Sequence, residues 1–178
     1  MITWKDYIII NKNWSILLKK NSIKYKIYVR LELYRMKKYI KYSFAFLILG
    51  LCFGVFFREY TKFMGLEEVK YLSLVHPHFL VLGVILTLII GLIQNQVKVE
   101  SKMYEISFKT YSLGVLLTGL MLFVRGLLDS LVMLNKLELS KGLDGAISGI
   151  SGISHIILGV SIILIFVAFL KSFKEERA

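Results

Sequence analysis

The 178-residue sequence contains one cysteine, Cys52, and one proline, Pro77, and it carries 12 acidic residues against 23 basic ones. A lone cysteine excludes an intramolecular disulfide bond. The sequence also has no phosphate-binding loop, dinucleotide fingerprint, His-Glu-x-x-His motif or nucleophile elbow. The motifs of familiar soluble enzymes are therefore absent, and we favour a function other than soluble-enzyme catalysis.

Long apolar runs dominate the sequence instead. Hydrophobic residues make up 56% of the chain, and the mean hydropathy is +0.66. Four segments, about 39–57, 71–94, 110–134 and 146–170, each approach the ~20 residues that a helix needs to cross a bilayer. They lack the alternating pattern of barrel strands. We predict an all-α integral membrane protein with four spans.

Each predicted span carries one stripe of small or polar residues at helical spacing. Because lipid supplies no hydrophobic drive between helices, such stripes mark where helices meet. Short connections make consecutive helices antiparallel neighbours. We therefore predict an up-down four-helix bundle with the stripes inside. The stripes are Ser43, Gly50, Gly54 and Thr61; His76, Gly83, Thr87 and Gln94; Gly114, Thr118, Met121, Arg125 and Asp129; and Ser148, Gly152, His155 and Gly159.

The distribution of lysine and arginine predicts the orientation. Cytoplasmic flanks of membrane proteins carry an excess of these residues. With the N-terminus inside, the outer loops hold few of them, namely Arg58, Lys62, Lys70, Lys136 and Lys141. We expect a bacterial plasma-membrane protein with both termini in the cytoplasm. The net charge of +11 then favours anionic lipid headgroups, and we expect no nucleic-acid partner.

Residues 1–35 differ in composition from the rest of the chain. They mix basic and aromatic residues and show no sustained apolar stripe. Met36, followed by Lys37, Lys38 and an apolar run, is typical of the start of a bacterial membrane protein. We interpret 1–35 as a basic extension, either a misassigned translation start or an amphipathic arm on the inner surface, and 36–178 as the four-span domain.

Five ionisable residues lie in or at the mouth of the spans: His76, His78, His155, Arg125 and Asp129. Such residues are costly in hydrocarbon and are candidate functional groups. Counted from the predicted outer ends, they share a layer ~6 Å thick. The second and fourth helices lie diagonally across the predicted bundle, so we expect His76 and His155 to face each other. His78 should point about 200° away from His76 at ~100° per residue.

Three chemistries fit this layer. His76 and His155, with His78 as an alternate ligand, are candidate axial ligands of a haem iron, with Arg125 pairing a propionate. A transition-metal site would use His76 or His78, together with His155 and Asp129. A proton or ion path would pass charge between the same groups.

Each residue also has a purely structural interpretation. Arg125 and Asp129 are one helical turn apart and can neutralise each other. His76 and His78 flank Pro77 at the start of a span, where either histidine can be interfacial, His78 above all. His155 can form an interhelical hydrogen bond, and the Ser-Gly-Ile repeat at 147–154 can serve close helix packing.

Four sequence features together resemble a known family. They are the motif at 57–63 (Phe-Arg-Glu-Tyr-Thr-Lys-Phe), the His-Pro-His motif at 76–83, the Arg125-Gly126 pair and the Ser-Gly-Ile repeat ending in His155. The sequence resembles, over about residues 36–172, a family of small four-span bacterial membrane proteins of unknown function. The resemblance implies a membrane location and the importance of these motifs, but no established activity.

A second, local resemblance concerns the predicted second span. The spacing of His76 and Gly83 is similar to that in haem-ligating helices of haem-copper oxidases and nitric oxide response membrane proteins. The chain lacks the further histidines of a binuclear copper centre, so oxidase activity is not implied.

The sequence thus leads to three functional hypotheses. The first is a haem- or metal-binding membrane module. The second is a structural or assembly subunit without a cofactor, and the third is a component of a small transporter. The expected partners are the lipid bilayer and either another membrane protein or further copies of the chain.

Overall fold

The computed structural model describes the backbone of residues 4–67, 69–99 and 101–175, with side chains for Leu33 and for 35–173 within those ranges. The described chain is helical and contains no strand. The elements are α1 (Trp4–Met64), α2 (Lys70–Ser73), α3 (Val75–His78), a π-helical segment (Phe79–Leu86), α4 (Thr87–Val97), α5 (Lys102–Met133) and α6 (Lys141–Glu175). The predicted all-α four-helix fold is confirmed.

Four helical stretches are long and apolar enough to span a membrane: Arg35–Met64, Lys70–Val97, Lys102–Met133 and Lys141–Phe173. Each overlaps one predicted segment, and we number them as the first to fourth spans. The second span joins α2, α3, the π-helical segment and α4. The protein is therefore a membrane protein whose apolar helices contact the lipid bilayer.

Helix α1 begins at Trp4, well before the predicted start of the first span at Tyr39. No glycine or proline occurs before Gly50, so nothing in the local sequence interrupts a helix. The chain divides into two compact units between Lys38 and Tyr39. Residues 1–3 and the side chains of 4–32 and of Tyr34 lie outside the described residues, so the interpretation of 1–35 stays a prediction.

The ends of the first and third spans follow from standard capping geometry. Gly65, at φ +67°, follows α1, and the N–H groups of Gly65 and Leu66 donate to the carbonyls of Lys62 and Thr61. Asn135, at φ 55°, ends α5 in the same way. A left-handed residue at this position satisfies carbonyls that the helix leaves unpaired. These caps explain why both spans stop there.

The first and second spans pack closely where glycines of the second span contact aromatic side chains of α1. A Cβ on Gly83 would lie 2.6 Å from Phe46 Cβ, and one on Gly91 would lie 2.6 Å from Tyr39 Cγ. Only glycine permits this approach. The stripe of the second span, which includes His76 and Gly83, therefore faces α1.

The small-residue stripes of the third and fourth spans have different surroundings. Gly114 of α5 contacts the backbone of Leu158, so this stripe is internal as expected. A Cβ on Gly152 or Gly159 of α6, in contrast, would meet no described atom within 4 Å, and His155 is exposed. The expectation that all four stripes lie inside is wrong for the fourth span, because α6 packs through an adjacent face, with Ser154, Leu158 and Ser161 buried.

Candidate functional site

His78 and His155 form a close pair between the second and fourth spans. The centres of their imidazole rings are 6.3 Å apart, and the ring planes are inclined by 80°. His78 ends α3 and is half-buried, whereas His155 lies in α6 and is exposed. The structure thus brings together two of the three histidines of the chain.

The backbone holds both rings in the same way. His78 Nδ1 lies 3.1 Å from the Leu74 carbonyl oxygen, and His155 Nδ1 lies 2.9 Å from that of Ser151. A carbonyl only accepts, so each Nδ1 must be the protonated nitrogen that donates. In a neutral ring Nε2 then carries the lone pair, and no described residue provides it with a hydrogen-bond donor.

His76 lies on the other side of the second span. Its ring is 6.5 Å from the ring of Phe57 in a stacked arrangement, and its Cβ would be 3.7 Å from a Cβ on Gly54. Its Nδ1 is buried without a hydrogen-bond partner. The partner of His155 is therefore His78, and the expected facing of His76 and His155 does not occur. The cause is the glycine stripe beside His76, which α1 covers.

Arg125 of α5 connects three helices through its guanidinium group. Its Nη1 lies 2.6 Å from Asp144 Oδ1 of α6 and donates to Ser148 Oγ at 3.3 Å. Its Nε lies 3.2 Å from Asp129 Oδ1, an ion-pair distance without the angle of a hydrogen bond. The guanidinium carbon is also 5.5 Å from the ring centre of Tyr71 in α2. One cation faces two carboxylates, so the cluster carries a net negative charge when all three are ionised.

Asp144 was not among the candidate residues from the sequence. It lies just before the predicted fourth span at 146–170, whereas α6 begins at Lys141 and includes Asp144 in its first turn. An acidic residue in a first helical turn is favoured by the helix dipole. The sequence does show this acidic residue. Its contact with Arg125, however, requires that the fourth helix begin at Lys141, earlier than the predicted start at residue 146.

An open cleft of about 220 Å³ joins Arg125 to His155. A second cleft of about 490 Å³ is also lined by Arg125, together with Asp129 and Lys70. Arg125 therefore lines both clefts, and His155, the partner of His78, lines the first. The first cleft is lined by Tyr71, Met121, Leu122, Arg125, Ser148, Ser151 and His155.

The described residues contain no group of three or more His, Cys, Asp or Glu side chains placed to hold a metal ion. His76, His155 and Asp129 are thus not gathered into a three-ligand set. What the arrangement offers is two imidazole nitrogens with free lone pairs, beside a charged cleft.

Four membrane-spanning helices with ionisable side chains between them define an integral membrane protein with a polar site. The chain belongs to the family described as proteins of unknown function, DUF2871, whose model matches residues 36–172. The match covers the residues of the predicted resemblance, which is confirmed. No curated protein and no solved structure matches the chain. The local likeness to haem-ligating helices stays a prediction.

Proposed function

We propose that the protein is a metal-binding membrane module in which His78 and His155 are the ligands. The observation that carries the proposal is the geometry of this pair. Two imidazoles on opposite sides of one ion, each bound at ~2 Å through nitrogen, have ring centres ~6 Å apart. The 6.3 Å separation of the His78 and His155 ring centres agrees with this spacing.

The hydrogen bonds behind the rings support the same proposal. Metal-bound histidines usually donate their other ring N–H to a carbonyl or carboxylate, which fixes the tautomer and raises the basicity of the ligand nitrogen. The Leu74 and Ser151 carbonyls accept these bonds for His78 and His155. Imidazole ligands suit copper, zinc, iron and nickel. Two protein ligands leave coordination positions open to water or a substrate.

Haem iron is a second candidate occupant, because two opposed imidazoles are also an axial ligand pair. Two observations favour a bare ion. The adjoining cleft of about 220 Å³ is smaller than the ~300 Å³ at which pockets for organic ligands begin. Arg125, the predicted partner of a propionate, already faces Asp144 and Asp129.

The experiment is metal analysis by mass spectrometry together with a visible absorption spectrum. The protein is purified in mild detergent from cells supplied with haem and trace metals. We expect about one equivalent of a transition metal and no Soret band. A stoichiometric Soret band would replace the bare ion by haem, and a colourless, metal-free protein that binds no added Cu²⁺, Zn²⁺ or Ni²⁺ would overturn the proposal.

A structural or assembly subunit without a cofactor is the second candidate function. The observation that favours it is the outward face of α6, where Gly152 and Gly159 meet no described residue. Small residues on a lipid-facing helix permit close approach of another helix. The occupant would be a second copy of the chain or another membrane protein. If so, Gly152→Leu should leave the protein folded but reduce its oligomeric mass in detergent, whereas an unchanged mass would remove this candidate.

We further propose a bacterial plasma-membrane location with both termini in the cytoplasm. The support is the small number of basic residues between the first and second spans and between the third and fourth. Reporter fusions test this directly. A C-terminal alkaline phosphatase should be inactive and a C-terminal fluorescent protein active, and the reverse pattern would invert the topology.

A further inference from the structure

The π-helical segment Phe79–Leu86 begins immediately after His78. A π-helix closes its hydrogen bonds from i to i+5, and it usually occurs as a single widened turn, frequently at functional sites. Because a wider turn contains more residues, each residue turns less about the helix axis. The length of the segment therefore sets the rotation of α3, and with it the direction of His78, relative to α4.

Side chains from both neighbouring helices hold this segment. The Tyr111 hydroxyl of α5 donates to the Leu82 carbonyl and lies 3.4 Å from Thr87 Oγ1. From α1, Ser43 Oγ donates to the Val84 carbonyl at 3.1 Å. These carbonyls lie within the π-helical segment. Tyr111 has no exposed surface, so water cannot take the place of its hydroxyl.

His78 is rigidly joined to the segment. Its backbone N–H and its Nδ1 both bond to the Leu74 carbonyl, so the ring moves with its own helical turn. Any change in the winding of Phe79–Leu86 would rotate that turn as a unit and alter the distance from His78 to His155.

We infer that Tyr111 is a positioning residue: its hydroxyl holds the π-helical segment in the winding that directs His78 toward His155. The consequence for metal binding rests on the proposed function. The geometric part stands on the contacts of Tyr111 alone.

The test compares Tyr111→Phe with Tyr104→Phe. Both remove one buried phenol hydroxyl from α5, but Tyr104 bonds to Tyr39, at 2.9 Å, and not to the π-helical segment. Ser43→Ala is a third variant that acts on the segment from the side of α1. Each is made in full-length protein carrying Cys52→Ala, together with His78→Cys and His155→Cys. The yield of cross-linking by a short bifunctional thiol reagent reports the distance between the two positions.

A second cysteine pair controls for general unfolding. Thr118 and Ser154, whose hydroxyl oxygens are 3.4 Å apart, join α5 directly to α6, and neither residue belongs to the segment. Cysteines at these two positions should cross-link equally in all variants. Metal affinity is measured in parallel with Cu²⁺ on the variants that keep both histidines.

We expect Tyr111→Phe to reduce the cross-linking of positions 78 and 155 several-fold and to weaken Cu²⁺ binding by about 10- to 100-fold, the loss that follows when a metal ligand is no longer held in its orientation. Tyr104→Phe should change neither. Unchanged cross-linking in Tyr111→Phe would overturn the inference, and so would an equal loss in Tyr104→Phe. If the parent protein binds no Cu²⁺ but Tyr111→Phe still reduces cross-linking, the proposed function fails and the positioning role stands.

Discussion

The imidazole rings of His78 and His155 face each other from the second and fourth spans at 6.3 Å. The two residues are far apart in the sequence, and each ring is held from behind by a carbonyl of its own helix. This contact between two imidazoles of different helices is the basis of the proposed metal site. The other histidine, His76, has an apolar environment and no such partner.

This asymmetry makes a specific prediction for the three histidines. His78→Ala and His155→Ala should each reduce metal content to background, because either change leaves a single ligand. His76→Gln should retain the metal, since His76 packs against Phe57 and Gly54 instead. The measurement is metal content per protein after size-exclusion chromatography. Loss of metal in His76→Gln with retention in His78→Ala would restore the ligand pair expected from the sequence.

The charge cluster around Arg125 makes a second prediction. Arg125→Gln should lower the free energy of unfolding by about 1–3 kcal/mol, because two carboxylates lose the group that compensates them. Replacing both carboxylates as well, with Asp129→Asn and Asp144→Asn, should recover part of that loss, since no unpaired charge then remains. Thermal unfolding in detergent measures both effects. If the triple variant were no more stable than Arg125→Gln, the two carboxylates would not need Arg125 to compensate their charge.

The sequence predicts some parts of the structure better than others. The four spans follow from apolar runs, because the hydrophobic length of a helix is a local property. The pairing of His78 with His155 does not, because it depends on which face of the second span α1 covers. The covered face is determined by the contact between Gly83 and Phe46, which lie on different helices. Nothing in a single sequence indicates that these two residues are in contact.

The π-helical segment is hidden for a similar reason. Its sequence, Phe79–Leu86, is uniformly apolar and compatible with an ordinary α-helix. The hydroxyl of Tyr111 that bonds to it lies 29 residues away from the Leu82 carbonyl. Helical periodicity at a fixed angle per residue therefore could not predict the winding of this span.

The contrasting surroundings of two glycines make a third prediction, on stability. A Cβ on Gly126 would lie 2.5 Å from the backbone nitrogen of Leu72, and that backbone cannot move aside as a flexible side chain would. Gly126→Ala should therefore lower the free energy of unfolding by about 1–3 kcal/mol, the usual cost of overpacking.

Gly149→Ala is the matched control, because the same substitution on α6 meets no described atom within 4 Å. It should be neutral or slightly stabilising, since alanine has the higher helix propensity. Thermal unfolding of the two variants in the same detergent gives the comparison. If Gly126→Ala were as stable as Gly149→Ala, the second and third spans could not approach as closely at Leu72 as the structure requires. The packing of α2 on α5, which brings Tyr71 over Arg125, would then need revision.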